Sequence, residues 1–393
     1  MMMKRITLFF LSFVLVCLVV LPGQANAAPA PASDPFTEPY SGEMLCLPGA
    51  YLYEPMDCLP YGPSQYITEL AQNGIDYPLL PLNAARPQAS LGELDYEIAK
   101  INIFPPERAP VYATLEDAVS GNNPVYSLQT SELLYVSFSS SAYINGGNYV
   151  YTASGGWMRA SPASFMSFQG LIFDTPPNTS FGWIVEMTNP KTAPDYFAQE
   201  VDWMLPRERA VQIFDVVNNG ALEYYMVGIN QWVERRYIRE LEIITTPPEG
   251  VDTDRWIEIN LYQQTLSVYE NNQLRFATLI ASGVDPYFTR PGLFQIFEKK
   301  PTETMSGAFA ADLSDYYYLE DVPWTMYYDE ARAIHGAYWR AWLGYPQSHG
   351  CVNMSVADSR WVYDWAQVGD WVYVWDPSGQ TPTDPDLYTP GGA

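Results

Sequence analysis

The chain has 393 residues and a formal net charge of −25, with 45 acidic side chains against 20 basic ones. That balance excludes nucleic acid as a partner, since affinity for it rests on Lys and Arg meeting phosphates, and it opposes adhesion to an anionic membrane surface. With 33 prolines, 30 tyrosines and 12 tryptophans the composition is that of an all-β secreted protein, and the length exceeds one typical domain.

The N-terminus predicts export. Lys4 and Arg5 precede an almost unbroken apolar run from Ile6 to Leu21, and Ala25-Asn26-Ala27 offers a small-x-small cleavage site. Residues 1–27 therefore read as a secretory signal peptide. The alternative is an uncleaved signal that tethers the chain to a membrane, although the run is short against the roughly 20 residues a span needs. Cys17 follows bulky Val16 inside the apolar run, which sets a lipoprotein anchor aside. The expected location is the cell wall, the extracellular space or a periplasm.

Residues 28–100 are Pro-rich, and "CLPGAYLYEPMDC" holds Cys46 and Cys58 close together. In an oxidising compartment such a pair bridges, which leaves Cys351 as the free thiol. A helix is predicted from about Ser64 to Asn73, with Gly74 as its stop.

Residues 101–245 read as short strands. "LLYVSFSSSAYINGGNYVYTASGGWMRA" places β-rich runs around Asn145-Gly146, a hairpin signal. A weak echo follows, from Asn219-Gly220 through Tyr224 and Tyr225 to Trp232 and Arg235. "GGWMRA" and "NQWVERRYIREL" resemble the closing strands of bacterial SH3-like modules. An ordinary β-barrel core with tyrosine hairpins is the competing reading. This region is the candidate for contact with wall glycan or peptide. Residues 246–254 read as a linker.

Residues 255–377 form the next domain, and 378–393 a C-terminal tail. "WIEINLYQQTLSVYENNQLRFATLIASG" alternates in period two, with Asn271-Asn272 as a turn. "TRPGLFQIFEK" adds a Pro-Gly turn and a strand. Ser355 followed by Asp358 starts a helix that carries Ala357, Trp361 and Trp365 on one face and is expected to stop at Gly369. "WVYVW" is a closing strand. The fold class is mainly β.

The chemistry gathers at "SHGCVN", Ser348 to Asn353. The chain has two histidines, and both His335 and His349 lie close in sequence to Cys351. Cys351 is placed on a loop before a helix, whose N-terminal amides and positive dipole end favour a thiolate.

"IHG" at 334–336 followed by "SHGCVN" at 348–353 resembles the signature of the L,D-transpeptidase catalytic domain, the YkuD-type family. The likeness extends outward through "LSVYENNQL", "ASG" and "TRPGLFQI", and covers about 252–377. Arg290 stands between Thr289 and Pro291, where the family often has Thr-Pro directly, and Asn353 replaces a commoner Arg. The resemblance implies a β-sandwich or barrel-like catalytic domain with a short helix after the catalytic loop. It implies that peptidoglycan stem peptides are substrates and that no cofactor is needed.

It also implies roles. Cys351 is the nucleophile, forming a thioester with a tetrapeptide donor and releasing D-alanine. His335 is the general base, with the Gly336 carbonyl holding its tautomer. Backbone amides at His349, Gly350 and Cys351 make an oxyanion hole. Ser348 and Asn353 line the site. Tyr338, Trp339 and Trp342 are expected to wall the acceptor side, with hydrophobic packing as their alternative. The aromatic insert "DYYYLEDVPWTMYY" is expected to carry a lid tyrosine, with Tyr316, Tyr317 and Tyr318 as candidates and Tyr318 named among the substrate-binding residues.

Other readings compete. His335, His349 and Cys351 would make an N/N/S zinc set, at a spacing that matches no metal signature. Cys351 would alternatively be a buried structural residue. A non-catalytic wall-binding protein would keep the β modules and use no thiol. With water as acceptor, the same site would be an L,D-carboxypeptidase or a cross-link hydrolase.

Overall fold

The computed structural model describes residues 63–75, 82–104, 106–131, 133–177, 179–220, 222–308 and 316–388. The signal segment, Cys46 and Cys58 lie outside the described residues. Helix α1 (Pro63–Gln72) ends one residue before the Asn73 bound read from the sequence. Among the described residues no helix is long and apolar enough to cross a membrane.

The first β-unit comprises β1 (Glu97–Lys100), β2 (Ala109–Tyr112), helix α2 (Leu115–Ser120), β3 (Pro124–Leu128), β4 (Leu133–Ile144), β5 (Gly147–Thr152), β6 (Trp157–Arg159) and β7 (Ser161–Pro162). Asn145 and Gly146 take φ of 50° and 78° between β4 and β5, the left-handed pair a tight hairpin turn requires. Ala99, Val111, Leu134, Val136, Phe138, Val150 and Met158 fill one core. The expected boundary at residue 101 moves, because β1 begins at Glu97 and pairs antiparallel with β4.

β8 (Leu171–Ile172) then leaves this unit and pairs with the catalytic sheet described below. A second β-unit follows, with β9 (Phe181–Ile184), β10 (Ala210–Gln212), β11 (Asp215–Asn219), β12 (Leu222–Gly228), β13 (Gln231–Glu234) and β14 (Ile238–Leu241). Its core of Ile184, Leu205, Ile213, Tyr225, Val233 and Ile238 is separate from that of the first unit. The stretch 101–245, read as one region, is thus two units with a strand between them that belongs elsewhere.

The C-terminal unit packs two sheets. One has the order β18 (Gly292–Gln295), β23 (Trp371–Trp375), β15 (Arg255–Asn260), β16 (Thr265–Glu270), β17 (Gln273–Leu279) and β8. The other is built from β19 (Glu298–Gly307), β20 (Tyr317–Asp329), β21 (Arg332–Gly336) and β22 (Val352–Met354). Ile257, Ile259, Leu266, Val268, Phe276 and Val372 of the first sheet meet Met326, Tyr328, Ile334, Val352 and Met354 of the second in one core. Period-two alternation drives this, since each strand must bury one face against the facing sheet. Asn271 and Asn272, at φ of 55° and 57°, close the β16–β17 hairpin.

Helix α3 (Val356–Trp365) starts where Ser355 accepts a hydrogen bond from the Asp358 amide. It ends four residues before Gly369. The Ala366 amide closes on the Val362 carbonyl, and the Asp370 carboxylate takes the next amide, that of Gln367. Trp361 stacks on Phe276 at 4.4 Å, and Arg255 lies 4.0 Å over the Trp365 ring. Asp358 is fully buried and accepts from the Gly170 amide and from Thr278 Oγ1. The start of α3 therefore ties the segment before β8 to the catalytic unit.

The first β-unit is joined to the catalytic unit edge to edge. β4 pairs in parallel with β20, matching Leu133, Leu134 and Tyr135 to Tyr317, Tyr318 and Leu319. β4 is buried on both faces here, because Leu134 and Val136 face their own core while Tyr135 packs with Tyr317, Leu319 and Tyr338.

Candidate active site

Strands β21 and β22 run parallel, with His335 beside Asn353 in register. Cys351 directly precedes β22, so strand pairing brings the thiol and the imidazole to one end of the sheet. Gly336 must be glycine for space, since a Cβ there would lie 2.6 Å from Ser359 Oγ. Gly350 must be glycine for conformation, at φ of +118°.

The loop is fixed from behind. Ser348 Oγ accepts from the Gly350 amide at 3.1 Å and donates to the Cys351 carbonyl at 2.5 Å. Thr289 Oγ1 donates to the Gly350 carbonyl and accepts from the Gly283 amide. The Ser348 backbone bonds with Ser282 and Val284. Thr289 thus secures the loop, although the sequence offered it only as part of a turn.

His335 is 1% exposed and held at both ring nitrogens. Nδ1 lies 3.1 Å from the Gly336 carbonyl, so it carries the proton. Nε2 then accepts from Asn353 Nδ2 at 3.1 Å. Asn353 Oδ1 in turn accepts from Arg340 Nε at 2.9 Å, and the Arg340 guanidinium also donates to the Gln347 carbonyl. Burial lowers the His335 pKa to about 4, with the Gly336 carbonyl opposing and the Arg340 charge reinforcing the shift. Burial also brings Arg340 down to about 10.

Cys351 is a free cysteine, 5% exposed. Its Sγ accepts from the Ala333 amide at 3.5 Å and faces the Ala331 carbonyl at 3.8 Å. Burial pushes the thiol up to about 11, and the Ala333 amide and Arg332 charge pull only partly against it. The expected support from a helix N-terminus is not the governing effect. The N-cap of α3 is Ser355, with β22 lying between it and the thiol. At neutral pH the pair is therefore a neutral thiol beside a neutral imidazole.

Several expectations are corrected. The Gly350 amide, expected in an oxyanion hole, donates to Ser348 Oγ in this structure. His349 is held between two rings, Tyr287 at 4.9 Å and Tyr317 at 5.4 Å. Tyr318 faces away from the site. Strand alternation sends Tyr317 and Leu319 to the pocket, while Tyr318 packs on the first unit's core and donates to Glu320.

Tyr338 is a core residue, with its hydroxyl on the Glu320 carbonyl and its ring against Tyr135 and Trp339. Trp342 does not line the Cys351 pocket. It is 46% exposed, beneath the Arg207 guanidinium. Trp339 does line the pocket, 5.6 Å from the His335 ring.

Cys351, His335, Ser348, His349 and Asn353 line one narrow pocket that opens to solvent. Its apolar wall is Met305, Leu319 and, from the first β-unit, Leu133. Arg290 is also connected to this site. It pairs with Asp329, which also holds Arg332 at 3.2 Å, and Arg332 stands beside the thiol and under the Tyr388 ring. Sequence reasoning missed Leu133, Arg340 and the Asp329–Arg332 pair. The two arginines were visible only as isolated basic residues flanking the motif. Among the described residues no group of three His, Cys, Asp or Glu side chains is arranged to hold a metal ion.

The fold is a mainly-β sandwich that buries His335 on β21 and Cys351 just before the neighbouring parallel strand β22. Residues 254–374 match the family model of the L,D-transpeptidase catalytic domain, YkuD. Among solved structures the chain is similar to a mutant of an Enterococcus faecium L,D-transpeptidase, at 24% identity over 31% of this chain and 50% of that one, with a TM-score of 0.29. It is also similar to an L,D-transpeptidase from Stackebrandtia nassauensis, at 24% identity over 34% and 60%, with a TM-score of 0.27. L,D-transpeptidase 1 of Mycobacterium tuberculosis gives 19% identity over 37% and 76%, with a TM-score of 0.27. The chain spans about half the length of the Enterococcus relative. A search of the curated proteins gives no match.

Proposed function

We propose that the chain is an exported L,D-transpeptidase that cross-links peptidoglycan stem peptides through a thioester on Cys351. The observation that carries this reading is the His335–Gly336–Cys351 arrangement inside the family-matched domain. The ring's Nδ1 is tied to a backbone carbonyl, which leaves Nε2 as the basic nitrogen at a buried thiol.

In the first step the Cys351 proton passes to His335 Nε2 as sulfur attacks the carbonyl of the donor's third residue. Asn353 Nδ2 gives up its hold on Nε2 at that moment. The oxyanion is received by the Cys351 amide. Collapse breaks the amide bond, and the His335 proton leaves with the amine of D-alanine. In the second step the side-chain amine of another stem attacks the thioester, and His335 takes and returns its proton. One amide is exchanged for another, so no nucleotide is consumed.

The neutral ground state fits this order. A thiol at about 11 and an imidazole at about 4 do not form a resting ion pair, so proton transfer accompanies attack. The apolar wall of Leu133, Met305 and Leu319 disfavours water at the thioester, which supports transpeptidation over hydrolysis. The two β-units at 97–162 and 181–241 are proposed to contact wall glycan or peptide. Incubation with disaccharide tetrapeptide, followed by mass analysis, tests the reading. Cross-linked dimer with free D-alanine is expected; tripeptide without dimer would make the enzyme a carboxypeptidase.

A further inference from the structure

We infer that Lys100 of the first β-unit and Arg340 of the catalytic unit form one carboxylate subsite, which takes the α-carboxylate of the residue that leaves the donor. Both cations line a single open pocket, with Tyr135, Phe165 and Trp339 among its walls. Trp339 and Arg340 also line the Cys351 pocket, so the two pockets adjoin.

Neither cation meets a carboxylate. Arg340 uses Nε on Asn353 Oδ1 and Nη2 on the Gln347 carbonyl, which leaves Nη1 without a partner among the described residues. Lys100 Nζ stands 5.8 Å from the Tyr135 ring centroid and makes no hydrogen bond or ion pair among the described residues. By contrast Arg235, Arg255, Arg290, Arg332 and Arg360 each stand against an acidic side chain. Glu320 and Asp321 act on Tyr338 behind the pocket, but their carboxylates are bonded to Tyr318 and Ser137. In a chain with 45 acidic side chains, two half-buried cations that share a pocket with no carboxylate fit a ligand that brings the anion itself.

Packing fixes the lysine against the catalytic unit. Ile98, two residues earlier on the same face of β1, is buried in one core with Tyr135 and Tyr338. Ala99 points the other way, into the first unit's own core. Tyr135 is the residue opposite Lys100 in the β1–β4 register.

The position of the base selects the carboxylate. In the proposed reaction His335 returns its proton from Nε2 to the leaving amine, so the leaving residue lies on the Nε2 side of the ring. Asn353 is on that side, and Arg340 holds Asn353. In an amino acid the carboxylate carbon lies two bonds, about 2.5 Å, beyond the amine nitrogen. A leaving residue with a free carboxylate therefore brings its charge toward Arg340 and Lys100. A donor extended by one more residue has a neutral amide at that place and gives the cations nothing to pair with. The identity of the ligand as a stem carboxylate rests on the proposed function.

The test is calorimetric binding in a Cys351→Ala background, where no transfer occurs. The probes are disaccharide tetrapeptide and the same molecule with its final carboxylate converted to an amide. Lys100→Gln is expected to weaken tetrapeptide binding about tenfold and to leave the amide unchanged, while Lys100→Arg keeps the preference for the free acid. Equal weakening of both probes by Lys100→Gln, no weakening of either, or no binding of tetrapeptide before Lys100 is changed would each overturn the subsite. Binding here needs no nucleophile. A chain that prefers the free acid through Lys100 but, with Cys351 intact, never cross-links keeps the subsite and loses the proposed reaction. A chain that cross-links and is indifferent to Lys100 keeps the reaction and loses the subsite.

Discussion

Asn353 Nδ2 sits 3.1 Å from His335 Nε2, on the ring nitrogen proposed as the base. Burial holds the imidazole neutral, the amide fixes its orientation, and Arg340 holds the amide from its other side. The ring is therefore positioned by the Gly336 carbonyl at Nδ1 and by Asn353 and Arg340 on the Nε2 side, with no carboxylate bonded to it.

This arrangement gives the first prediction. Asn353→Asp replaces a donor to Nε2 with an anion, which favours imidazolium, so the His335 pKa should rise from about 4. An NMR titration of the His335 ring protons checks it. An unshifted titration would mean that residue 353 does not touch the ring. Asn353→Ala should instead leave Arg340 Nε without its acceptor and cost about 1–3 kcal/mol of stability.

The second prediction concerns pH. His335 is depressed in the fold from 6.5 to about 4, so the unfolded chain binds the proton that the folded chain refuses. Its contribution is fully present above about 6.5 and is lost as pH falls toward 4. Buried Asp358 works in the opposite sense. It is raised from 3.8 to about 6, so its contribution is lost as pH rises through that range. The His335→Gln variant separates the two. Denaturant unfolding should show the parent losing about 2 kcal/mol more than the variant between pH 7 and pH 5. Parallel losses would contradict the burial of a neutral imidazole.

The third prediction separates neighbouring tyrosines. Tyr317→Ala removes the ring stacked on His349 and should slow acylation by tetrapeptide about tenfold or more, a loss of about 1.4 kcal/mol in the barrier. Tyr318→Ala removes packing on the first unit's core and a hydrogen bond to Glu320, so it should lower the melting temperature with little change in acylation. The reverse pattern would restore Tyr318 as the lid residue.

What the sequence revealed was local. The Asn145-Gly146 and Asn271-Asn272 turns, the Ser355 cap and the order of His335, Gly336 and Cys351 each depend on a few adjacent residues. The helix stop was misread because Asp370, a side chain beyond the helix, caps the turn in place of Gly369. Choosing Tyr317 over Tyr318 needs the register of β20, and one residue of slip reverses it. Leu133 lies more than 180 positions from Tyr317, and only the β4–β20 pairing joins them. Arg340 and Arg332 act through hydrogen bonds and ion pairs that no spacing announces. The thiol's raised pKa likewise follows from burial that a loop motif does not display.

The most direct measurement is the mass of the protein after incubation with a carbapenem, a strained lactam whose carbonyl a thiol nucleophile opens. The account predicts one adduct per chain, carried by the peptide containing Cys351, and none on Cys351→Ala. Adduct on the alanine variant, or an unmodified Cys351 peptide in the parent under conditions where iodoacetamide reaches the same thiol, would contradict the assignment of Cys351 as nucleophile.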